Sequence, residues 1–547
     1  MTKKRIFIAN DASVLNTGYG IYGKELLTRL HNSNKYEIAE LGCYATKDTI
    51  TKANIPWKFY PNAVSQDNPK YSQYAANNVN QFGLWKFNKV LADFKPHIVF
   101  DIRDYWMFSY QETSPFRPFF HWVIMPTVDS APQKLEWRYT FTNADIVVPY
   151  TQWAKNTLTN ECGSQINLFD QCAYAGINTE EFFPIDNKIN HKIQYFGKDI
   201  TVIGAVMRNQ KRKLLADLML SFKKYLEMLK ANKLETEYEN TYLYLHTSYP
   251  EEHGWDIPSL LLEYGIADKV YFTYVCRNCH SFLPSKFQGG LKRCIKCNHY
   301  SSVVASPMHG VNTSQLNEIY NLFDIFVQYA ICEGFGMPQI EAASCGIKIA
   351  SVDYSAMTEI VENLNGIPIP VQRMFRETET NADRAYPDIE ATANILYQYL
   401  IKTSQEYKQQ DSIEIRNKCI SKYTWDNVYK VWEACFDSID IKDKTDWHSP
   451  PIVTNHNNVK VPNNLTHKEF VEYVCTEVLN APYLLNSAAV QCLIRDLSMG
   501  IVAGGGSIRS MSRDQVVKVL ENYLNNILYA NNIRADHKLI NQAELYD

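Results

Sequence analysis

The chain of 547 residues has no run of eighteen apolar residues, which is the length that a membrane-spanning helix needs. Its first ten residues lack the apolar core and the small-residue cleavage site of a secretory signal peptide. No long run of one charge occurs either, and the formal net charge is −4, so the overall basic footprint of a dedicated nucleic-acid binder is missing. We therefore predict no membrane span and expect a cytoplasmic protein.

The sequence also lacks the even, regularly spaced cysteines of a disulfide framework. Most of its 13 cysteines are scattered through apolar segments, as in proteins of a reducing compartment. The exceptions form two C-x-x-C motifs: Cys276, Cys279, Cys294 and Cys297. Two such motifs can fold around one tetrahedral zinc ion, and a redox-active pair is the alternative. Four thiolates leave no open ligand position, so we predict a structural zinc in a zinc-ribbon insert over residues 276–300.

The predicted insert is rich in basic and aromatic residues. Such residues can bind phosphates and stack bases, although a small solvated zinc module has a similar composition. The insert follows the strand-like run Val270–Val275, which places it at the edge of a parallel sheet where ligands bind. Its basic and aromatic residues are Phe282, Lys286, Phe287, Lys292, Arg293, Lys296 and Tyr300.

Strand-like runs alternate with helical ones over the first 440 residues, which predicts α/β structure with helices covering parallel sheets. The chain is too long for one core, and the runs form two series separated by a polar stretch at Phe183–Lys188. We therefore predict two Rossmann-like domains, at residues 1–184 and 185–440. The predicted strands are Arg5–Ala9, Ile38–Cys43, His97–Asp101, Phe119–Met125 and Asp145–Pro149, then Ile200–Met207, Tyr242–His246, Lys269–Val275, Asp324–Ala330 and Ile347–Val352.

After about residue 440 the strand alternation stops. We interpret residues 441–465 as a linker and residues 466–547 as a helical module. A capping-box pattern at Ser512 and Gln515 predicts the start of a helix. Its apolar face either packs within the module or joins two copies of the chain into a homo-oligomer. That face consists of Val516, Val519, Leu520, Tyr523, Leu524 and Ile527.

The most informative motif is the segment Glu333–Glu341, in which two carboxylates bracket a turn with two glycines. Gly334 and Gly336 allow backbone N–H groups to approach a ligand, and Pro338 suits the first turn of a helix. The apolar run before the motif predicts a buried strand, so the turn lies at a strand's carboxyl end. The positive end of the following helix would then face a phosphate group. This arrangement predicts a nucleotide-sugar site.

A second glycine motif follows the first predicted strand. Gly18, Gly20 and Gly23 match the dinucleotide fingerprint G-x-G-x-x-G, and Glu37 or Glu40 could serve as the acidic ribose ligand. Taken alone, the motif favours an NAD-dependent oxidoreductase. Such an enzyme has no use for the two-carboxylate motif in the second half, so this alternative is the weaker one.

Residues 4 to about 440 resemble the retaining glycosyltransferases of family 4, which have the two-domain GT-B fold with a cleft between the domains. Five segments carry the resemblance in the right order: Asn16–Gly20, Ala144–Tyr150 with Trp153 and Ala154, Ala175–Asn178 with Phe183 and Pro184, Gly204–Lys213, and Glu333–Glu341. In one of them Tyr150 and Thr151 replace the usual serine. The inserted ribbon departs from the family pattern. With this insert, the chain as a whole resembles glycosyltransferases encoded by large tailed phages, which would place the protein in the host cytoplasm.

The resemblance implies roles for individual residues. Arg208 and Lys213 would neutralise the donor diphosphate, and Glu333 would bind the sugar. Glu341 would accept hydrogen bonds from the ribose. His121 and Asp129 are the candidates on the acceptor side, although a purely structural histidine is an equal alternative for His121. The residues that would bring backbone groups to the donor are Gly18, Gly20, Gly334, Phe335, Gly336 and Met337.

These roles imply transfer of a sugar from a nucleotide diphosphate to a hydroxyl group with retention of configuration. Because Arg and Lys would supply the positive charge, no catalytic metal is expected at the diphosphate. The acceptor remains open among hydroxymethylated pyrimidines in DNA, a protein and a surface glycan. The alternative of another class is a nucleic-acid-binding zinc protein on an inactive transferase scaffold.

Overall fold

The computed structural model describes residues 3–51, 54–306, 308–441, 447, 464–499, 522–530, 532 and 545–546. Most of the predicted linker over 441–465 lies outside these residues. The helix start predicted at Ser512 and Gln515 also lies outside them, as do the first three apolar positions of that helix.

The first half of the chain contains a six-stranded parallel sheet in the order β3-β2-β1-β4-β5-β6. The five predicted strands are confirmed, because each is an apolar run that is buried between helical layers. The strands are β1 Lys4–Asp11, β2 Tyr36–Cys43, β3 Lys58–Pro61, β4 Ile98–Asp101, β5 His121–Ile124 and β6 Ile146–Val147. The helices are α1 Gly18–Asn32, α2 Lys47–Thr51, α3 Tyr71–Ala75, α4 Phe87–Phe94, α5 Tyr105–Phe108, α6 Leu135–Asn143 and α7 Gln152–Cys162.

The second half contains a nine-stranded sheet with a parallel central part, β9-β8-β7-β13-β14-β15. Its strands are β7 Thr201–Val206, β8 Thr241–His246, β9 Val270–Cys276, β10 Phe282–Lys286, β11 Lys292–Arg293, β12 Tyr300–Val304, β13 Ile325–Gln328, β14 Lys348–Val352 and β15 Ile367–Ile369. The helices are α8 Lys188–Phe196, α9 Leu215–Ala231, α10 Glu235–Asn240, α11 Ile257–Tyr264, α12 Thr313–Tyr320, α13 Met337–Ser344, α14 Ala356–Asn363, α15 Ile389–Tyr397, α16 Gln405–Lys422 and α17 Trp425–Ser438. The five predicted strands of this half are confirmed too.

The cysteine-rich insert belongs to the sheet itself. β10 pairs antiparallel with β9 along its length, and β12 pairs with the last three residues of β9, beyond the point where β8 ends. The ribbon is therefore an extension of β9 past the carboxyl edge of the sheet. A separate hairpin, β16 Val371–Arg376 and β17 Asp383–Pro387, follows β15. These short strands were not predicted, because they carry polar residues and lack a buried apolar run.

Helix α17 crosses back from the second half and packs on α1 of the first. Trp432 of this helix is fully buried, and its Nε1 donates a hydrogen bond of 2.8 Å to the hydroxyl of Tyr22. Trp425, at the start of the helix, packs edge-on against the same tyrosine ring. Helix α17 thus ties the two halves together.

The C-terminal module packs on the first half of the chain. Its helices α18 His467–Tyr473 and α19 Ala488–Met499 share a small apolar core to which Tyr523, Leu524 and Ile527 contribute. These three side chains of the predicted apolar face thus pack inside the module. Association of two chains through the C-terminal helices stays a prediction.

Later residues contact the first half at two further places. The Trp447 ring packs against Phe116, and its Nε1 donates to the Pro96 carbonyl over 3.1 Å. The ring of Tyr546 stacks on that of Tyr60 with centroids 5.5 Å apart. Among the helices that the structure describes, none is long and apolar enough to cross a membrane.

We expect Trp432→Ala to lower the free energy of unfolding by about 3–5 kcal/mol, because it removes a fully buried indole at the junction of the two halves. Tyr22→Phe keeps the aromatic packing and loses only the hydrogen bond, so its cost should be about 1 kcal/mol. Urea unfolding of both variants measures the two effects. Equal losses of unfolding free energy in the two variants would contradict the inference that apolar packing is what mainly holds the junction together.

Candidate active site

The loop between β13 and α13 lies at the carboxyl edge of the second sheet. Gly336 has a φ of +89°, in the left-handed region that favours glycine, and it caps α13 at its N-terminus. Pro338 occupies the first turn, as the sequence predicts. The helix therefore directs its free N–H groups and its positive end toward this loop.

The same loop touches the first half of the chain. A Cβ atom on Gly334 would lie 2.3 Å from Cγ2 of Thr127, which follows β5, so no larger residue fits there without movement. The Thr127 hydroxyl in turn lies 2.9 Å from the hydroxyl of Tyr19 in α1. Thr127 thus joins the glycine loops of both halves across the cleft.

Phe335 is a packing residue rather than an exposed one. It is buried, and its ring stacks on Tyr150 of the first half with centroids 5.2 Å apart. The side chain of Phe335 is therefore used in packing, and the backbone role that the resemblance implies stays a prediction. The neighbouring Met337 is partly buried and packs against the same core.

Glu333 is buried, and its carboxylate accepts hydrogen bonds from three cationic or polar side chains. Lys213 donates to Oε1, Arg212 donates to Oε2 over 3.2 Å, and Gln328 donates to Oε1 over 2.9 Å. Burial opposes ionisation of Glu333, but the charges of Lys213 and Arg212 outweigh it and lower the pKa to about 2. The carboxylate is therefore ionised and fixed in position.

The basic loop after β7 is arranged differently from the sequence prediction. Arg208 is exposed and pairs with Glu251, whereas Arg212, which was not predicted, reaches Glu333 together with the predicted Lys213. The backbone carbonyl of Arg212 also accepts a hydrogen bond from Ile331 at the end of β13. The run of three cations at 211–213 was the available signal, but spacing alone could not show which side chain points to the carboxylate.

Glu341 lies on α13, where the Tyr320 hydroxyl donates a hydrogen bond of 2.6 Å to its Oε2. Burial raises the pKa of Glu341 to about 7, although the Tyr320 bond favours the ionised form. The pKa values of the two carboxylates of the motif are therefore shifted in opposite directions. Glu333 is held ionised, while Glu341 titrates near neutral pH.

The N-terminal glycine loop is closely packed around the start of α1. Thr17 caps the helix by accepting a hydrogen bond of 3.0 Å from the N–H of Gly20, and its own hydroxyl donates to Asp11. A Cβ on Gly20 would lie 2.5 Å from the Leu15 carbonyl oxygen, whereas one on Gly18 would meet nothing within 4 Å. Gly18 is thus the glycine of this loop that leaves open space beside the helix start.

The oxidoreductase alternative loses its predicted ribose ligand. Glu40 is buried in the middle of β2, where it accepts hydrogen bonds from the N–H of Ser13 and from Trp57 Nε1. Glu37 lies near the amino end of the same strand, away from the glycine loop. Neither carboxylate is placed to bind a ribose beside that loop.

The two acceptor-side candidates lie at opposite ends of one strand. His121 begins β5 at the amino edge of the first sheet, beside His97, so the expectation that it lies near the cleft needs correction. Asp129 follows the carboxyl end of β5 and is paired across the cleft with Arg384 of β17 over 3.0 Å. It also accepts a hydrogen bond of 3.2 Å from Cys332 Sγ. Asp129 therefore bridges the two halves.

A carboxylate that the sequence did not suggest lies in the cleft. Asp104 follows β4 and lies beside Tyr19 and Thr127, which favour its ionised form. Burial, and secondly the charge of Asp129, raise its pKa to about 6. A single aspartate after a short strand has no distinctive sequence pattern, which explains why it was missed.

The four predicted metal ligands come together. Their sulfur atoms lie within 4.8 Å of one another: Cys276, Cys279, Cys294 and Cys297. A tetrahedral zinc ion with Zn–S bonds of about 2.3 Å fits such a cluster. Burial opposes the thiolate of Cys276, but hydrogen bonds from Ser301 and from two backbone N–H groups lower its pKa to about 5. The thiolate form that zinc requires is thus favoured at Cys276.

Several of the basic and aromatic residues predicted to form a face of the ribbon make contacts inside the protein instead. Lys286 Nζ lies 3.9 Å and 3.8 Å from the ring centroids of Tyr242 and Tyr271. Lys292 donates to the Lys286 carbonyl over 2.7 Å and lies over the ring of Tyr274. Phe282 and Phe287, two aromatic residues of that predicted face, also pack inside the protein. Arg293, Lys296 and Tyr300 are exposed.

Comparison with known proteins supports this picture. Residues 308–374, which include both glutamates of the motif, match the family "Glycosyl transferases group 1". No curated protein matches the chain in sequence. Among solved structures, sucrose-phosphate synthase from Thermosynechococcus elongatus is 14% identical with a TM-score of 0.56, covering 80% of this chain and 100% of that chain. The chain has the GT-B fold.

Two further structures agree with this fold assignment. HepE from Anabaena, in complex with UDP and glucose, is 12% identical with a TM-score of 0.55, covering 80% of this chain and 100% of that chain. A glycosyltransferase from Rickettsia africae is 12% identical with a TM-score of 0.53, covering 80% and 98%. At such identities the likeness establishes the GT-B architecture.

We expect one zinc ion per chain by metal analysis, and none in a Cys279→Ser/Cys294→Ser variant, because two thiolates cannot complete the tetrahedral site. Amide hydrogen exchange should then accelerate in residues 276–304 and remain slow in β7, β13 and β14. Cys172→Ser, which removes a partly exposed cysteine elsewhere, is the matched control and should retain the metal. A metal-free wild-type chain with reversible disulfides would instead favour the redox alternative.

Proposed function

We propose that the protein transfers a glycosyl group from a nucleotide-diphosphate sugar to a hydroxyl acceptor, with retention of configuration. Residues 185–440 would form the donor domain and residues 1–184 the acceptor domain. The observation that carries the proposal is the ionised, buried Glu333 held by Lys213 and Arg212 at the N-terminus of α13. The family match over residues 308–374 supports it.

The proposed chemistry uses the cations for the diphosphate and the carboxylate for the sugar. As the bond from the anomeric carbon to the diphosphate oxygen breaks, negative charge grows on the leaving group, and Lys213, Arg212 and Arg208 stabilise it. The acceptor oxygen forms its bond on the same face of the sugar, and its proton passes to the departing phosphate oxygen. With three cationic side chains available, we propose that no catalytic metal takes part.

Glu333 would orient the sugar by accepting hydrogen bonds from its hydroxyl groups, and Glu341 would do the same for the ribose. Backbone N–H groups of residues 334–337 and the open space beside Gly18 would accommodate the diphosphate from the two sides. On the acceptor side we propose Asp104 in place of His121, because Asp104 lies in the cleft and has a pKa near 6. Asp129 would act by holding the halves together.

We propose three classes of molecule as the hydroxyl acceptor. Hydroxymethylated pyrimidines in DNA are one proposal, and a protein or a surface glycan are the others. An inactive scaffold that only binds nucleic acid is the less favoured alternative. It would have no need for a buried carboxylate and two convergent cations, an arrangement that costs stability when its partners are not matched.

A charge-swap series tests the donor site. Glu333→Gln alone leaves the Lys213 ammonium buried without its partner and should cost about 3–5 kcal/mol of stability. Lys213→Met/Glu333→Gln removes both charges and should recover most of that stability. Its turnover of a panel of nucleotide sugars, measured as hydrolysis or transfer, should nevertheless fall at least about 100-fold.

The matched control for this series is Lys418→Met/Glu414→Gln, which removes the same two charge types from an exposed pair on α16. It should keep both stability and turnover. A Lys213→Met/Glu333→Gln protein that is folded and fully active would contradict the proposed donor site, and a wild-type chain that binds no nucleotide sugar would overturn the proposed function.

The pKa of Glu341 predicts how donor binding depends on pH. The ionised carboxylate accepts hydrogen bonds from ribose hydroxyls, and burial keeps it protonated below about pH 7 in the ligand-free protein. The donor dissociation constant should therefore rise about tenfold as the pH falls from about 8 to about 6. Titration calorimetry measures this dependence. Glu341→Gln should bind weakly at both values, and an equal slope in that variant would exclude the role of Glu341.

A further inference from the structure

The region around the zinc ribbon has an unusual distribution of charge. Residues 269–317 contain six Lys and Arg residues and no Asp or Glu, although the whole chain has a net charge of −4. The nearest carboxylates along the chain are Asp268 and Glu318, at the two boundaries of the segment. A surface of one sign on an otherwise acidic protein attracts a partner of the opposite charge.

Three of the six cations remain available to a partner. Arg277, Arg293 and Lys296 are exposed, and they form no ion pair within the residues that the structure describes. The other three are held by aromatic rings of the sheet, as Lys286 is between Tyr242 and Tyr271. The lysines that pack on aromatic rings of the sheet are thus distinct from the exposed set of Arg277, Arg293 and Lys296.

The exposed cations share one surface with an aromatic ring. Tyr300 is 69% exposed, it is the strand partner of Arg293, and the guanidinium of Arg293 lies 5.9 Å from its ring centroid. The backbone of Arg277 bonds to Ser301, the residue after Tyr300, over 3.0 Å. We call this surface the ribbon face, and it comprises Arg277, Asn278, Arg293, His299 and Tyr300. We assign Lys296 to it as well, because Lys296 is exposed in the adjoining turn between Cys294 and Cys297.

The ribbon face lies at the same edge of the second sheet as the candidate active site. The ribbon extends β9 beyond the carboxyl edge, and Gln315 at the start of α12 donates a hydrogen bond of 2.8 Å to the His280 carbonyl. The other end of α12 carries Tyr320, the partner of Glu341. One short helix therefore links the ribbon to the proposed ribose site.

We propose that the ribbon face binds single-stranded nucleic acid. Arg277, Arg293 and Lys296 would contact phosphates, and an unstacked base would lie on the exposed ring of Tyr300. The combination of arginines with an exposed aromatic ring favours nucleic acid over an acidic glycan, because only the former offers both phosphates and planar bases. The bases of a duplex are stacked on one another, so a single strand fits better.

This binding does not depend on the proposed transferase activity. If both hold, the nucleic acid would be the molecule that presents the acceptor hydroxyl to the cleft, and the ribbon face would select that class of substrate. The two proposals can fail separately, because one is measured by association with an oligonucleotide and the other by turnover of nucleotide sugars.

The test uses the full-length, zinc-loaded chain and a fluorescent DNA strand about 20 nucleotides long, with binding followed by anisotropy. Three phosphate contacts predict that the logarithm of the association constant falls with the logarithm of salt concentration with a slope of about −2, between about 50 and 200 mM salt. The variant Arg277→Gln/Arg293→Gln/Lys296→Gln should lose measurable binding. Absence of binding by the wild-type chain at the lowest salt overturns the proposal.

A matched control removes three exposed lysines elsewhere: Lys233→Gln/Lys430→Gln/Lys468→Gln. It has the same net charge as the ribbon variant and should bind like the wild type. Equal losses in both variants would show a general charge effect and would overturn a specific face. Both variants should hydrolyse nucleotide sugars at the wild-type rate without DNA and should retain one zinc ion per chain, which separates this test from that of the proposed function.

The role of Tyr300 distinguishes a nucleic acid from other polyanions. Tyr300→Ala should weaken the oligonucleotide complex about tenfold, and Tyr300→Phe, which keeps the ring, should restore it. Heparin serves as an acidic polysaccharide without bases, and its binding should not change in either variant. Heparin that binds as tightly as the oligonucleotide, together with no effect of Tyr300→Ala, would show a polyanion or glycan surface and exclude the assignment to nucleic acid.

Discussion

The ion pair of Glu333 with Lys213 is the interaction on which the candidate active site depends. A carboxylate is stable in this buried position only because cations from a different loop reach it, so the end of β7 and the end of β13 must lie side by side. The ion pair therefore requires β7 and β13 to be neighbouring strands in the centre of the second sheet. The glycine turn and the first turn of α13 then follow from the same strand end.

Three contacts across the cleft add to the Glu333–Lys213 ion pair. Phe335 stacks on Tyr150, Gly334 adjoins Thr127, and Asp129 pairs with Arg384, so three types of interaction join the two halves near one point. The aromatic and glycine contacts depend on shape and persist in any ionic condition. The Asp129 pair is electrostatic and responds to charged ligands in the cleft. The site is therefore assembled from both halves, and of these three contacts the Asp129–Arg384 ion pair is the one that a charged donor could readily replace.

The sequence predicted the sheets well because apolar strands alternated with helices. It singled out Glu333, Lys213 and the four clustered cysteines because each lies in a motif of fixed spacing, and their functional roles stay predictions. It did not reveal Asp104 or Arg212, whose roles come from side-chain directions across separate elements. His121 was misplaced because both ends of a strand look alike in a sequence, whereas only the carboxyl edge faces the cleft. The hairpin of β16 and β17 was missed because partly exposed polar strands carry no periodic signal.

The contacts of Trp447, α19 and Tyr546 with the first half have a consequence for biosynthesis. These segments follow the first half by several hundred residues in the sequence, yet they cover apolar surface on it. During translation the Phe116 and Tyr60 surfaces therefore stay exposed to solvent while several hundred further residues are added. Burial of these surfaces thus waits until the distant segments have been made, and until then the nascent chain presents an apolar surface that chaperones can recognise.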